Sequence, residues 1–170
     1  PDHGSAPVKD RLKGKVAIVC GAGQTPGSTI GNGKAMALLF GMAGAKVLCV
    51  DRDEDRARET VNAILNEGQR AIACQADITK PEDVARIVDT AKDAWGQVDI
   101  LVNNVGQRDR RSLQDFSKSD AAALLDVNLL SPFMLAQQVA ATMTPGSAIL
   151  NVTSIAGPLA RSGDVAYTMA

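Results

Sequence analysis

Apolar residues along the chain follow two alternating patterns. Short, near-continuous runs occur at Val16–Cys20, Val47–Val50, Ala71–Ala76, Ile100–Val102 and Ala148–Val152, and Val and Ile recur in them. Unbroken runs of this length predict strands buried on both faces, as in a parallel sheet covered by helices. Between them the apolar residues return at helical spacing. Gly33 to Phe40 is a compact Ala/Leu/Met stretch, with Gly44 placed to end it in a left-handed turn. Asp53 to Glu67 is charged on one face, carries Ala57, Val61, Ile64 and Leu65 at helical spacing, and is stopped by Gly68. Thr79-Lys80-Pro81-Glu82 predicts a capping box with proline in the first turn. The stripe Val84, Ile87, Val88 and Ala91 follows and ends near Trp95-Gly96. Ser117-Lys118-Ser119-Asp120 opens a further helix, through Leu124, Leu125, Val127 and Leu129 to about Met143, with a kink or local irregularity at Pro132.

The resulting order, β-α-β-α-β-α-β-α-β, predicts an α/β fold with a doubly wound parallel sheet and right-handed crossovers. Sites in such sheets lie beyond the carboxyl ends of the strands, so the residues just after each apolar run are the candidates.

The first strand leads into Gly21-Ala22-Gly23-Gln24-Thr25-Pro26-Gly27-Ser28-Thr29-Ile30-Gly31-Asn32-Gly33, and then a helix. Glycines let backbone approach a pyrophosphate closely, and the helix N-terminus offers unpaired N–H groups and partial positive charge. The second strand ends in Val50-Asp51-Arg52, and Asp51 lies 51 − 31 = 20 residues after Gly31. A carboxylate there accepts hydrogen bonds from both hydroxyls of an adenosine ribose and repels a 2′-phosphate, which favours NAD over NADP. Arg52 pulls the other way, since a guanidinium pairs with phosphate. Asp51 as the N-cap of the next helix is the competing reading.

Composition narrows the field. The 170 residues are 45% hydrophobic and 22% charged, which suits one globular domain, read as residues 12–170 behind a polar tail at 1–11. Eighteen basic residues against nineteen acidic give a net charge of −1, which argues against nucleic-acid binding driven by bulk charge. No run approaches a membrane span, and the tail lacks the apolar core of a signal peptide, so the expectation is a cytoplasmic protein. Cys20, Cys49 and Cys74 contain no CxxC pair and read as buried small hydrophobes in a reducing compartment. His3 is the only histidine, which excludes chemistry that needs several, and no metal site is expected.

These residues together resemble the short-chain dehydrogenase/reductase family, over about residue 12 to the end of the chain. Gly31-Asn32-Gly33-Lys34-Ala35 resembles the second half of the family's Thr-Gly-x-x-x-Gly-x-Gly turn, and Gly21 its first glycine. The family spaces those glycines four apart; here the interval is 31 − 21 = 10, an insertion of about six, and Cys20 replaces the usual threonine. Gly23 or Gly27 is a further candidate phosphate contact. Asp77, followed by Ile78, is similar to the family aspartate that contacts the adenine. Asn103-Asn104-Val105-Gly106 resembles the Asn-Asn-Ala-Gly segment that borders the cofactor. Asn128 matches the helical asparagine of the catalytic tetrad. Ser154, at the end of the last apolar run, resembles the catalytic serine, and Tyr167 follows it by 167 − 154 = 13 residues, the family interval.

The resemblance implies a Rossmann-like fold and hydride transfer between NAD(H) and a secondary alcohol or ketone. It implies Tyr167 as acid/base, Ser154 on the substrate oxygen, Asn128 ordering a proton-relay water, and a homo-oligomer, tetramer or dimer, in the full-length form. It also implies a lysine four residues after the tyrosine, one place beyond Ala170. The expectation is therefore that these residues are part of a longer enzyme, missing its C-terminal part and inactive alone. Taken singly, Ser154 also reads as a turn residue, Asn128 as a satisfied polar residue within a helix, and Tyr167 as a packing residue. A non-catalytic dinucleotide-binding or scaffold protein is the alternative for the whole. The run Gln107-Arg108-Asp109-Arg110-Arg111, after the fourth strand, reads as a solvated loop or as a contact for an anionic substrate or a neighbouring subunit.

Overall fold

The computed structural model describes residues 10–25, 27–159 and 165–170. His3 and most of the polar tail lie outside them. Asp10 and Arg11 belong to a turn, closed by the Lys13 N–H on the Asp10 carbonyl at 3.2 Å.

Five strands form one parallel sheet in the order β3-β2-β1-β4-β5. They are β1 (Val16–Cys20), β2 (Lys46–Asp51), β3 (Arg70–Gln75), β4 (Ile100–Asn103) and β5 (Ala148–Asn151). This is the Rossmann-like doubly wound architecture. The chain builds outward from β1 through β2 to β3, then returns to add β4 and β5 on the other side. The switch point lies between β1 and β4, where crevices form in such sheets.

The continuous apolar runs are explained by burial on both faces. Within β1, Ile18 and Cys20 join Leu48, Val50, Ile87, Leu101, Leu135 and Val139 in one core, against α3 (Pro81–Trp95) and α5 (Ser131–Ala140). Ala17 and Val19 point the other way, to Val47, Cys49, Ala37 and Ile64, against α1 (Asn32–Met42) and α2 (Glu54–Asn66). The three cysteines are free and buried in these cores, as expected. Burial pushes the Cys20 and Cys49 thiols up to about 12. Strand β5 forms one edge of the sheet, with Ile149 and Leu150 exposed.

Several local expectations shift. Strand β2 extends to Lys46 and Asp51, and β3 starts at Arg70 and ends at Gln75, because the parallel register pairs Lys46 with Arg70 and Asp51 with Gln75. Gly44 adopts φ 90° after α1, as its position predicts. No capping box forms at Thr79. The Thr79 hydroxyl donates to Asp77 Oδ1 at 2.7 Å, Lys80 becomes the N-cap of α3, and Pro81 keeps its place in the first turn.

The helix expected from Ser117 to about Met143 is three segments. Helix α4 (Lys118–Leu125) opens on a capping box between Ser117 and Asp120; a π-helical turn covers Asp126–Leu130; α5 follows. Pro132 explains the break, for it has no N–H to give the carbonyl of Asn128 four residues earlier. The Ser131 N–H reaches back to the carbonyl of Asp126 instead, a five-residue step.

Asp99 anchors the start of β1 from below. Its carboxylate accepts from the Val16 N–H at 2.8 Å, Lys15 Nζ at 2.9 Å and Gln97 Nε2 at 2.6 Å. Burial raises its pKa, but these three donors outweigh burial and hold it below the ordinary carboxylate range. A folded value below the unfolded one gives stability that is complete above about pH 4. That stability is lost as the pH falls through the folded value. Urea unfolding of wild type and Asp99→Asn should show a gap at pH 7 that closes as the pH drops below 4. A gap independent of pH would reject this role.

Candidate functional site

A cleft of about 590 Å³ opens beyond the carboxyl ends of β1 to β4, across the switch point. Its floor is the glycine turn after β1. Gly21 takes φ +68°, and its carbonyl accepts from Asn104 Nδ2 at 3.2 Å, which ties the turn to the end of β4. Helix α1 then passes almost in contact: a Cβ on Gly33 would lie 1.8 Å from the Gly21 carbonyl oxygen. No side chain of the N-cap, Gly31, bonds the first turn of α1.

At one end of the cleft, the Asp51 carboxylate accepts from the Gly23 N–H at 2.9 Å and the Asp53 N–H at 3.1 Å. One bond to each oxygen leaves acceptor capacity on both. A Cβ on Gly23 would lie 2.7 Å from Asp51 Oδ2, so glycine is needed for that approach. The N-cap of α2 is Asp53, which accepts from the Arg56 N–H at 3.2 Å, so the competing reading of Asp51 as that cap does not hold. Arg52 and Arg56 flank Asp51 in the wall.

Asp77 and Ile78 close the next stretch. The Asp77 carboxyl is held below its usual range by the Thr79 hydroxyl and N–H, so it is anionic at neutral pH. Asn104, Val105 and Gly106 form the opposite wall. Twelve positions that the sequence nominated for a cofactor thus line one cleft, Gly23 and not Gly27 among them.

The three nominated for catalysis do not line it. Asn128 stands behind the wall: its Nδ2 donates to the Gln107 carbonyl at 2.9 Å and its Oδ1 accepts the Gln107 N–H at 2.8 Å. Both ends of the carboxamide are spent on one backbone unit, so Asn128 fixes the course of the wall. Ser154 lies in the turn after β5, where its Oγ accepts the Ala156 N–H at 3.1 Å. Its own O–H is left to donate. Tyr167 sits half-buried in α6 (Val165–Met169). It meets the cleft through Arg108, a wall residue whose guanidinium carbon is 6.0 Å from the tyrosine ring centroid.

Of the charged run, Arg108 reaches the cleft, Arg110 is exposed, and Arg111 is bound to Asp109 and Asp120 and stacked over Phe116. Sequence reasoning missed Arg56 and Thr25 as wall residues. Arg56 could have been found from its place in the first turn after β2, which must face the strand ends. Among the described residues no group of three potential metal ligands comes together, and no helix is long and apolar enough to cross a membrane.

A family model described as short chain dehydrogenase matches residues 15–170. The 7alpha-hydroxysteroid dehydrogenase of Escherichia coli strain K12 is 38% identical over 148 residues, covering 86% of this chain and 55% of that protein. The 3beta-hydroxysteroid dehydrogenase 1 of Eggerthella lenta is 42% identical over 130 residues, 73% of this chain and 46% of that protein. A solved 7 alpha-hydroxysteroid dehydrogenase, complexed with NADH and 7-oxo glycochenodeoxycholic acid, superposes with a TM-score of 0.87 at 34% identity. That match covers 97% of this chain and 63% of the other. The chain therefore spans about half the length of these two relatives.

Proposed function

Because the chain belongs to the short-chain dehydrogenase/reductase family, we propose that its protein transfers hydride between NAD(H) and a secondary alcohol or ketone. In this reading residues 12–170 form the dinucleotide-binding domain. The observation that carries it is the single cleft that gathers the glycine turn, Asp51, Asp77 and the Asn104–Gly106 wall at the switch point.

The residues present fit such a cofactor. Gly21, Gly23, Gly31 and Gly33 all line the cleft, so backbone without side chains would face a pyrophosphate there. Asp51 has lone pairs for a ribose diol, and Asp77 with Ile78 would flank an adenine. When bound, the nicotinamide supplies or accepts the hydride. Tyr167 gives its phenolic proton to the oxygen of a carbonyl under reduction and takes it back in the reverse direction. Ser154, whose lone pair already holds the Ala156 N–H, donates its O–H to the same oxygen. Asn128 acts through Gln107, by fixing the backbone of that stretch of the cleft wall.

Calorimetric titration with NADH and NADPH tests the reading, followed by a panel of alcohols headed by hydroxysteroids, since two relatives bear that name. NADH is expected to bind the tighter. Asp51→Asn keeps an acceptor for the Gly23 N–H but removes the charge that opposes a 2′-phosphate. It should shift the NADPH-to-NADH affinity ratio upward at least about tenfold, because juxtaposed like charges cost several kcal/mol. An unmoved ratio would remove Asp51 as the discriminating residue. NADH binding without turnover of any alcohol or ketone would favour the scaffold alternative.

A further inference from the structure

The insertion in the glycine turn is bridged by one side chain. Ten positions separate Gly21 from Gly31, and Gly27, Ser28, Thr29 and Ile30 are exposed, so little packing holds the loop. Gln24 ties it together. Its Nε2 donates to the carbonyls of Thr25 at 2.6 Å and Thr29 at 3.0 Å, and its Oε1 accepts the Gly31 N–H at 3.0 Å. Residues near the start and the end of the insertion thus meet at one carboxamide. Gly31 is also the N-cap of α1, and its carbonyl accepts the Ala35 N–H at 2.9 Å. Fixing the Gly31 N–H therefore fixes where the helix begins. Thr25, Gly31, Asn32 and Gly33 all stand in the cleft wall.

We infer that Gln24 is a positioning residue of the cleft: its carboxamide sets the gap between the turn at Gly21–Gly23 and the start of α1, into which a dinucleotide pyrophosphate fits. The inference rests on the cofactor reading above. Two donors and an acceptor on one terminal group are what a carboxamide offers. Glutamate at this position has no donor for the two carbonyls, methionine keeps the length but makes none of the bonds, and asparagine is one methylene short. An unfastened loop of this length also has more conformational freedom to lose when a ligand orders it. Gln24 thus allows a long insertion to coexist with the close approach of Gly33 to Gly21.

The test uses Gln24→Met and Gln24→Glu. Calorimetry with NADH and with adenosine separates the phosphate end of the cleft from the end near Asp51 and Asp77. Amide hydrogen exchange at Gly31 is followed by NMR without ligand. The Kd for NADH should rise about tenfold in Gln24→Met, as expected for the loss of a few exposed hydrogen bonds, and further in Gln24→Glu. The Kd for adenosine should hold within about twofold, because each variant changes only the loop. Exchange at Gly31 should quicken at least about tenfold once its acceptor is gone. The melting temperature should not change. Unchanged exchange at Gly31, or adenosine weakened in parallel with NADH, overturns the inference. So does variant binding of NADH equal to wild type, and that result leaves the cofactor reading standing. A wild-type protein that binds neither NADH nor NADPH overturns both.

Discussion

Gly33→Ala is expected to abolish measurable dinucleotide binding, with affinity for NADH falling at least about 100-fold. The added methyl would sit 1.8 Å from the Gly21 carbonyl oxygen and 2.7 Å from Asn104 Nδ2. A flexible side chain could step aside, but the nearest obstacle is backbone. The Gly21 carbonyl is itself held by Asn104. The strain can be relieved only by moving the first turn of α1 away from the sheet, which widens the cradle. Overpacking of this kind costs about 1–3 kcal/mol of stability, so urea unfolding should register it as well. Gly27→Ala is the matched control, because a Cβ there meets nothing within 4 Å, and it should leave both quantities alone. A Gly33→Ala protein that binds NADH as wild type does would contradict the proposed seat of the pyrophosphate.

Tyr167→Phe should lower kcat by about 10²- to 10⁴-fold, the usual range for removing a general acid or base. The ring that Arg108 faces is preserved, and the cleft wall does not include Tyr167, so the Kd for NADH should not change. That split between turnover and binding identifies a proton donor; a packing residue would affect stability instead. Retained turnover in the variant would dismiss Tyr167 and with it the proposed chemistry.

The parts of this molecule that were readable in advance share a physical origin. Strands buried on both faces must be apolar throughout, so β1 and β2 announced themselves, and a doubly wound sheet then places its crevice at the strand ends. Asp51 could be nominated from position alone, whereas Asn104 needed the resemblance of its segment to a family motif. The remainder depends on which of several competent partners a polar group chooses. Thr79 has the chemistry of a cap but bonds the Asp77 carboxylate two residues away. Asn128 could be placed on a helix by periodicity, yet the π-helical turn around it differs from an α-helix by one hydrogen-bond step and leaves only Pro132 as a mark in the sequence. Gln24 stood in a conspicuous insertion, but its three bonds run to loop backbone whose course no periodicity describes. For Ser154 and Tyr167 the interval of thirteen residues is a contour length, which fixes no separation in space.

The buried thiols give the molecule a chemical clock. Cys20 and Cys49 lie in adjacent central strands with no exposed surface, and with thiols pushed up to about 12 by burial they stay protonated at pH 8. An alkylating reagent has neither access nor a ready nucleophile until the helices lift off the face of the sheet that each thiol occupies. Labelling of these cysteines therefore counts openings that uncover the two faces of the sheet, and small-molecule occupancy of the crevice should slow it by up to the factor that saturation adds to the folding equilibrium.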